Sequence, residues 1–363
     1  MNRQNRVQYL ISLLVSVVLA LLVGALIMAA TGHNPIDGYA ALISGAFGDL
    51  SKKFLNRNLA NTLYKTGQLC ITGLATAVAA QAGIFNVGGE GQMYLGALAS
   101  AYVGARLVGV SPVIALPLCF LAAILSGALY ALIPAVLKVK LKINEVITTI
   151  LMNSIAIYFC TYMANGPLKT AEKGITQGTD AVDSAFRFSK LVAGSNLTDS
   201  IFCIAVIAMI VWYVMSRTTT GFQMKLTGQN ERFARFSGIK AGKLAIVSML
   251  VSGAMCGLLG MFETFGLQGR FKPDFSNEFY FDGMLVAMIM RYKPMGIILM
   301  SFFFGILKMG AVTMQSKTGI SSELILIVQS IIIFFMAAEE GIVASLRARR
   351  VRKVPTAGKE ADS

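Results

Sequence analysis

The sequence predicts an all-α membrane protein, a polytopic helical bundle with about ten transmembrane helices, some short or broken. Hydrophobic residues make up 55% of the 363 residues and charged residues only 14%, against about 25% charge in a soluble domain. Mean hydropathy is +0.67. Apolar runs recur along the chain, and the segments between them alternate between strongly basic and charge-balanced.

The first run, residues 9–30, follows Arg3 and Arg6 as a secretory signal would. Its length of about 20 residues and the lack of a small-x-small cleavage site favour a retained span. Further runs cover residues 66–82, 92–108, 112–137, 146–163, 200–215, 244–265, 281–290, 295–314 and 323–338. Several fall short of the roughly 20 residues that a straight crossing needs.

With the amino terminus inside, both termini are cytoplasmic, and so are residues 82–91, 138–142, 217–243 and 291–293. These segments are basic almost throughout. The loop 217–243 holds Arg217, Lys225, Arg232, Arg235, Lys240 and Lys243 against Glu231, and the tail holds Arg347, Arg349, Arg350, Arg352 and Lys353. The opposite-face segment 165–199 balances Lys169, Lys173, Arg187 and Lys190 with Glu172, Asp180, Asp183 and Asp199. That asymmetry follows the positive-inside rule. The loop after the first span departs from it, because Lys52, Lys53 and Arg57 outnumber Asp37 and Asp49. We expect one transmembrane domain over 1–354 and a disordered cytoplasmic tail over 355–363.

The net charge of +14 does not indicate nucleic acid, since the basic residues sit at span ends with no interleaved stacking aromatics. Cys70, Cys119, Cys160, Cys203 and Cys256 lie inside apolar runs and read as small hydrophobes. His33 is the lone histidine, a loop residue, so no metal site is expected. No paired carboxylates or Ser–His set appears at catalytic spacing, so no catalytic residue is assigned and a membrane enzyme ranks third among the readings.

Residues 82–92 carry the chemistry: glycine-rich, polar backbone pinned between two hydrophobic runs, with Asn86, Glu90 and Gln92 on it. Irregular backbone at membrane depth is tolerated only where protein or a watery cavity satisfies it, which marks a transport pathway. Amides suit a sugar or nucleoside, whose hydroxyls need neutral donors and acceptors. Asn144 and Glu145 open the next polar stretch, with Thr148, Thr149 and Asn153 inside its span. A helix start explains Asn144 and Glu145 as well as a pathway does; Asn153 lies deeper and points to function or a helix bridge. Gly253 and Gly257 at GxxxG spacing, beside Ser252, Cys256 and Gly260, predict close helix packing. Glu263, with Arg270 and Lys272 beyond it, reads as an interfacial carboxylate. In the basic loop, Phe233, Phe236 and Ile239 give one apolar helix face, fitted to a lipid surface or to a docking partner.

At these residues the chain resembles the permease subunits of bacterial ATP-binding-cassette (ABC) importers for simple sugars and nucleosides, within the branched-chain amino-acid and ribose permease superfamily. Residues 83–92 look like its GxFNxGxEGQ signature, and residues 144–153 are similar to its NEVITTIMLN segment with Leu151 and Met152 exchanged. Residues 228–238 resemble its ATPase-facing GxNxxAAxxxGI pattern, departing at Phe233, where alanine is usual. The likeness extends to Phe281, Asp282 and Gly283 and covers nearly all of the chain between the tails.

The resemblance implies a permease of the bacterial cytoplasmic (inner) membrane, paired with a second copy or a related chain. It further implies an ATPase with two nucleotide-binding modules and an external substrate-binding lipoprotein. Asn86, Glu90, Gln92, Asn144, Glu145 and Asn153 would belong to the substrate pathway. Gly228, Asn230, Arg232, Phe233, Ala234, Arg235 and Gly238 would dock on the ATPase. No GxxxxGK[ST] phosphate loop occurs in the chain, so no cofactor is expected here, and ATP would bind the partner. The rival reading is a self-sufficient secondary transporter or channel with Glu90 or Glu145 as a proton or cation site.

Overall fold

The computed structural model describes residues 3–49, 51, 55–276, 278–332 and 334, with side chains from residue 14 onward. The tail expected at 355–363, the arginine run before it and the end of the last expected span lie outside the described residues. Among the described residues twelve α-helices are named: α1 (Arg3–Ala30), α2 (Pro35–Phe47), α3 (Arg57–Gln81), α4 (Gly89–Arg106), α5 (Pro112–Leu141), α6 (Glu145–Asn165), α7 (Ser200–Arg217), α8 (Thr219–Gln229), α9 (Glu231–Phe236), α10 (Ala241–Glu263), α11 (Phe279–Ile289) and α12 (Pro294–Thr318). Residues 324–332 are also helical. Strand structure among the described residues is a single bridge between Lys190 and Thr198. The fold is all-α, as expected.

Among the described residues five helices are long and apolar enough to cross a membrane: α5, α6, α7, α10 with its extension to Gln268, and α12. Leu14–Ala30 and α11 are shorter apolar helices. Two expected boundaries change. The segment after the first span, expected as a loop, forms the 13-residue α2. Helix α3 starts at Arg57, nine residues before the apolar run at residue 66, because Asn56 caps it by accepting from the N–H groups of Asn58 and Leu59. Lys65 thereby falls inside the helix.

The chain divides into two compact units, Met1–Leu42 with Gly310–Ser363, and Ile43–Met309. In the first, the Tyr39 hydroxyl donates to the Leu21 carbonyl at 2.5 Å and sits against Gly24. His33 lies in the turn after α1, where the sequence put it.

In the second unit, α10 is the central helix. Its small-residue stripe does what GxxxG spacing predicts. A Cβ added at Gly253 would come within 2.5 Å of the Gly127 carbonyl on α5, and one at Gly257 within 2.2 Å of the Ala123 carbonyl. A Cβ at Gly260 would meet the Met93 carbonyl of α4 at 2.0 Å. Three backbones therefore meet with no side chain between them. By contrast, α5, α6 and α7 expose large apolar residues such as Leu125, Ile155 and Met209, as helices facing lipid do. All five cysteines are free, and four are buried.

The π-helical turn Thr264–Gln268 ends α10, and residues 166–199 fold back on that end. The Thr179 N–H donates to the Phe271 carbonyl at 3.0 Å and the Val182 N–H to the Gly269 carbonyl at 2.9 Å. Asp183 accepts from the Ala185 N–H at 3.0 Å. That bond, aided by the Gly109 N–H and the Ser184 hydroxyl, holds its carboxyl below the usual range.

Candidate functional site

Between α3 and α4 the backbone leaves the helix at Ala82 and resumes at Gly89; in the connecting segment Gly83 is exposed and Phe85 half-buried, and the remaining residues are buried. Its polar groups are satisfied by side chains from three other helices. Asn86 and Gln92 pair reciprocally: Asn86 Nδ2 donates to Gln92 Oε1 at 2.9 Å, and Gln92 Nε2 donates to Asn86 Oδ1 at 3.2 Å. Asn86 Nδ2 also donates to the Ser252 hydroxyl of α10 at 2.9 Å, and Asn86 Oδ1 accepts from the Gly88 N–H.

From α6, Asn153 bridges the gap. Its Oδ1 accepts from the Gly91 N–H and its Nδ2 donates to the Val87 carbonyl, both at 2.8 Å. Thr149 accepts from the Val87 N–H. From the α11 side, the Tyr280 hydroxyl donates to the Asn86 carbonyl, and its ring occupies the space a side chain at Gly89 would need. Glu90 accepts from the Ser276 hydroxyl and from the Tyr280 N–H. The backbone between the two helices is therefore held by side-chain amides and hydroxyls.

Four of the six residues assigned to a pathway, Asn86, Glu90, Gln92 and Asn153, meet in this brace, each at most 6% exposed. Asn144 and Glu145 stand apart at the start of α6. Asn144 caps the helix through the Val146 N–H, and Glu145 pairs with Lys138 at 2.6 Å. The helix-start explanation accounts for both.

Three ionisable groups escaped the sequence reading. Asp282 on α11 lies between Lys308 of α12, with which it pairs closely, and Lys65 of α3 at 4.0 Å. The Lys65 ammonium also sits 4.3 Å from the centre of the Phe279 ring. Lys308 and Asp282 interrupt apolar runs, and that alone should have marked them. Glu263, read as interfacial, is 4% exposed and accepts from Tyr64 and from Gln68 Nε2 of α3. Beside it, a cavity of about 10 Å³ has room for roughly one water.

At the opposite end of α10, the loop segment folds as α8 and α9. Asn230 caps α9 through the Phe233 N–H, Glu231 pairs with Arg235 at 2.5 Å, and Gly238 at φ +79° ends the turn. Ala234 is buried, while Phe233 and Phe236 are 55% and 92% exposed and Arg232 is exposed. A short helix is present as expected, but it ends at Phe236, so Ile239 falls outside it and the apolar face is reduced to the uncovered Phe233 and Phe236. Gly228 rests directly on the end of α3: a Cβ there would come within 2.5 Å of the Gln81 carbonyl, and one at Gly83 would touch Gly228.

Comparison with known proteins agrees with this architecture. The chain is 32% identical to the guanosine ABC transporter permease protein NupP of Bacillus subtilis (strain 168), over 93% of this chain and 96% of that protein. It is 32% identical to the nucleoside ABC transporter permease protein NupB of Lactococcus lactis subsp. cremoris (strain MG1363), over 98% of each. A glucose ABC transporter permease protein of Haloferax volcanii, TsgB13, is 31% identical over 90% of this chain and 86% of that protein. No solved structure matches. Residues 58–337 match the family described as branched-chain amino acid transport system / permease component, and the chain belongs to that family of multi-pass membrane permeases.

Proposed function

We propose that this chain forms the translocation pathway for a nucleoside in an ABC importer, moving its substrate by alternating access powered by a separate ATPase. The contact between Gly228 and the end of α3 carries the mechanism. A push on α8 and α9 passes through that glycine contact to Gln81 and Gly83, which adjoin the broken segment. The segment then moves as a unit, because Asn86, Gln92 and Asn153 tie it together. The exposed Phe233 and Phe236, flanked by Arg232 and Arg235, form the face offered to the ATPase.

On this reading residues 1–354 act as one permease domain of the bacterial cytoplasmic membrane with both termini inside. The ATPase carries two nucleotide-binding modules and binds the ATP. A second permease, a copy or a related chain, completes the pathway, and an external lipoprotein delivers the substrate. Nucleosides are favoured over sugars because the two relatives at 32% identity are named for guanosine and nucleosides, the glucose permease standing at 31%. Asn86, Glu90, Gln92 and Asn153 shape the pathway by fixing its backbone. Glu90 and Glu145 are engaged by protein partners, which leaves the ion-driven alternative without a supporting observation.

Affinity purification from native membranes in mild detergent, followed by mass spectrometry, tests this. A stoichiometric two-module ATPase and second permease are expected, and Arg235→Glu should release the ATPase. Isolation of the chain alone across several mild detergents would sink the proposal.

A further inference from the structure

Lys65 is a cation inside α3 whose ammonium finds no hydrogen-bond acceptor among the described residues. It lies 4.0 Å from Asp282 Oδ2, beyond hydrogen-bond reach, and 4.3 Å from the centre of the Phe279 ring. Asp282 gives that same oxygen to Lys308, with which it pairs closely. Glu90 and Glu263 act on Lys65 only at electrostatic range. Both are engaged by neutral donors, Glu90 by Ser276 and the Tyr280 N–H, Glu263 by Tyr64 and Gln68. An ammonium has three donors, and leaving them unmet away from bulk water is unfavourable.

The group is held in place, and it is open. Helices α3 and α11 meet backbone to backbone, because a Cβ at Gly283, next to Asp282, would lie 2.8 Å from the Gly73 nitrogen. The Phe279 ring fixes the ammonium from one side. The side chains of Lys65, Asp282 and Lys308 are 12%, 12% and 19% exposed. Among the described residues, the orphaned side-chain polar atoms shielded from solvent are Gln68 Oε1, Asp199 Oδ1, Arg270 Nη1 and Ser301 Oγ, so Lys65 Nζ reaches accessible space. Charged groups at membrane depth face the bundle interior or a watery cavity rather than lipid. Asp282 Oδ1 is the second available group, since both ion-pair contacts fall on Oδ2. A donor and an acceptor therefore stand side by side.

We propose that Lys65 and Asp282 read the base of a passing nucleoside and select one that carries a lactam edge, a ring C=O beside a ring N–H. Lys65 donates to the carbonyl oxygen, and Asp282 Oδ1 accepts from the N–H. Both bonds are charge-assisted, and a lactam supplies a strong acceptor and a good donor together. A purine without the 6-oxo group lacks the donor and leaves the carboxylate unmet. The inference rests on the nucleoside-importer reading and adds base selectivity to it. Lys308 is a positioning residue that holds Asp282.

The test compares uptake of inosine and of purine riboside, which differ only in the lactam edge, by right-side-out vesicles containing the whole complex. The readout is the ratio of initial rates at low concentration. The external protein and the ATPase are the same throughout, so a change in the ratio between variants belongs to this chain. Wild type is expected to favour inosine about tenfold or more, the worth of a hydrogen bond to a charged group. Lys65→Met leaves the Asp282–Lys308 pair balanced, so the fold should survive, and it should cut the preference to about threefold or less by slowing inosine alone. Lys65→Arg, which keeps the charge and the donors, should retain most of the preference. An unchanged ratio in Lys65→Met overturns the inference, as does equal loss of both substrates, which would mark a structural role. Wild-type vesicles that take up neither nucleoside overturn the nucleoside reading along with it, whereas an unchanged ratio in active Lys65→Met vesicles overturns this subsite alone.

Discussion

The membrane domain solves the problem of buried polarity twice, in opposite ways. Around residues 82–92 the groups are largely neutral, and each amide gives and receives, so nothing is left over. Around Lys65, Asp282 and Lys308 the groups are charged, and one carboxylate serves two ammoniums. Neutral amides can specify backbone geometry, losing only a hydrogen bond or two when one is removed. A buried charge cluster is held by balance, and removing one member leaves a charge with no counterpart. The comparison teaches that the two regions should fail differently.

The largest effect is expected for Asp282→Asn, which strands both lysines and should destabilise by about 3 kcal/mol or more. Because four of the five cysteines are buried, a thiol-reactive dye in a thermal melt reads unfolding directly. Adding Lys308→Met should recover part of the loss, as balance predicts; no recovery would mean that shape rather than charge holds the cluster. Gly260→Ala comes next, at about 1–3 kcal/mol from overpacking against the Met93 carbonyl. Asn153→Leu should cost about 2 kcal/mol, since the Gly91 N–H and Val87 carbonyl lose their partner. Unlike Asp282→Asn, it should not be rescued by removing any charge. Smallest is Asp183→Asn. The Asp183 carboxyl is depressed, so its stabilisation is present above the ordinary carboxylate range and is lost as pH falls through the lower folded value. The variant should flatten the acid limb of the melting profile.

The legible parts of the sequence were those where chemistry and spacing coincide. Glycine breaks at 82–92 announced irregular backbone, and Gly253, Gly257 and Gly260 announced the packing of α10 on α5 and α4. The same motif residues were less legible in role, because an amide facing a substrate and an amide bracing a backbone have the same sequence signature. Asn144 and Glu145 show the same ambiguity, standing in the structure as a cap and an ion pair. The Lys65–Asp282–Lys308 cluster could not be read as a cluster because its members come from three helices distant in sequence, although Lys308 inside an apolar run was a signal on its own. Glu263 likewise had no local sign of Tyr64 and Gln68, some 200 residues away. Helix α2 was missed because its 13 residues are too few to register as a span.

The most direct test of the account is uptake of labelled guanosine by right-side-out membrane vesicles containing the whole complex, with ATP supplied inside and the proton gradient collapsed. The account predicts uptake that depends on ATP, persists without the gradient and is lost in Gly228→Val, where the side chain would collide with the Gln81 carbonyl. Gradient-driven uptake by this chain alone in liposomes, indifferent to ATP and to Gly228→Val, would contradict it.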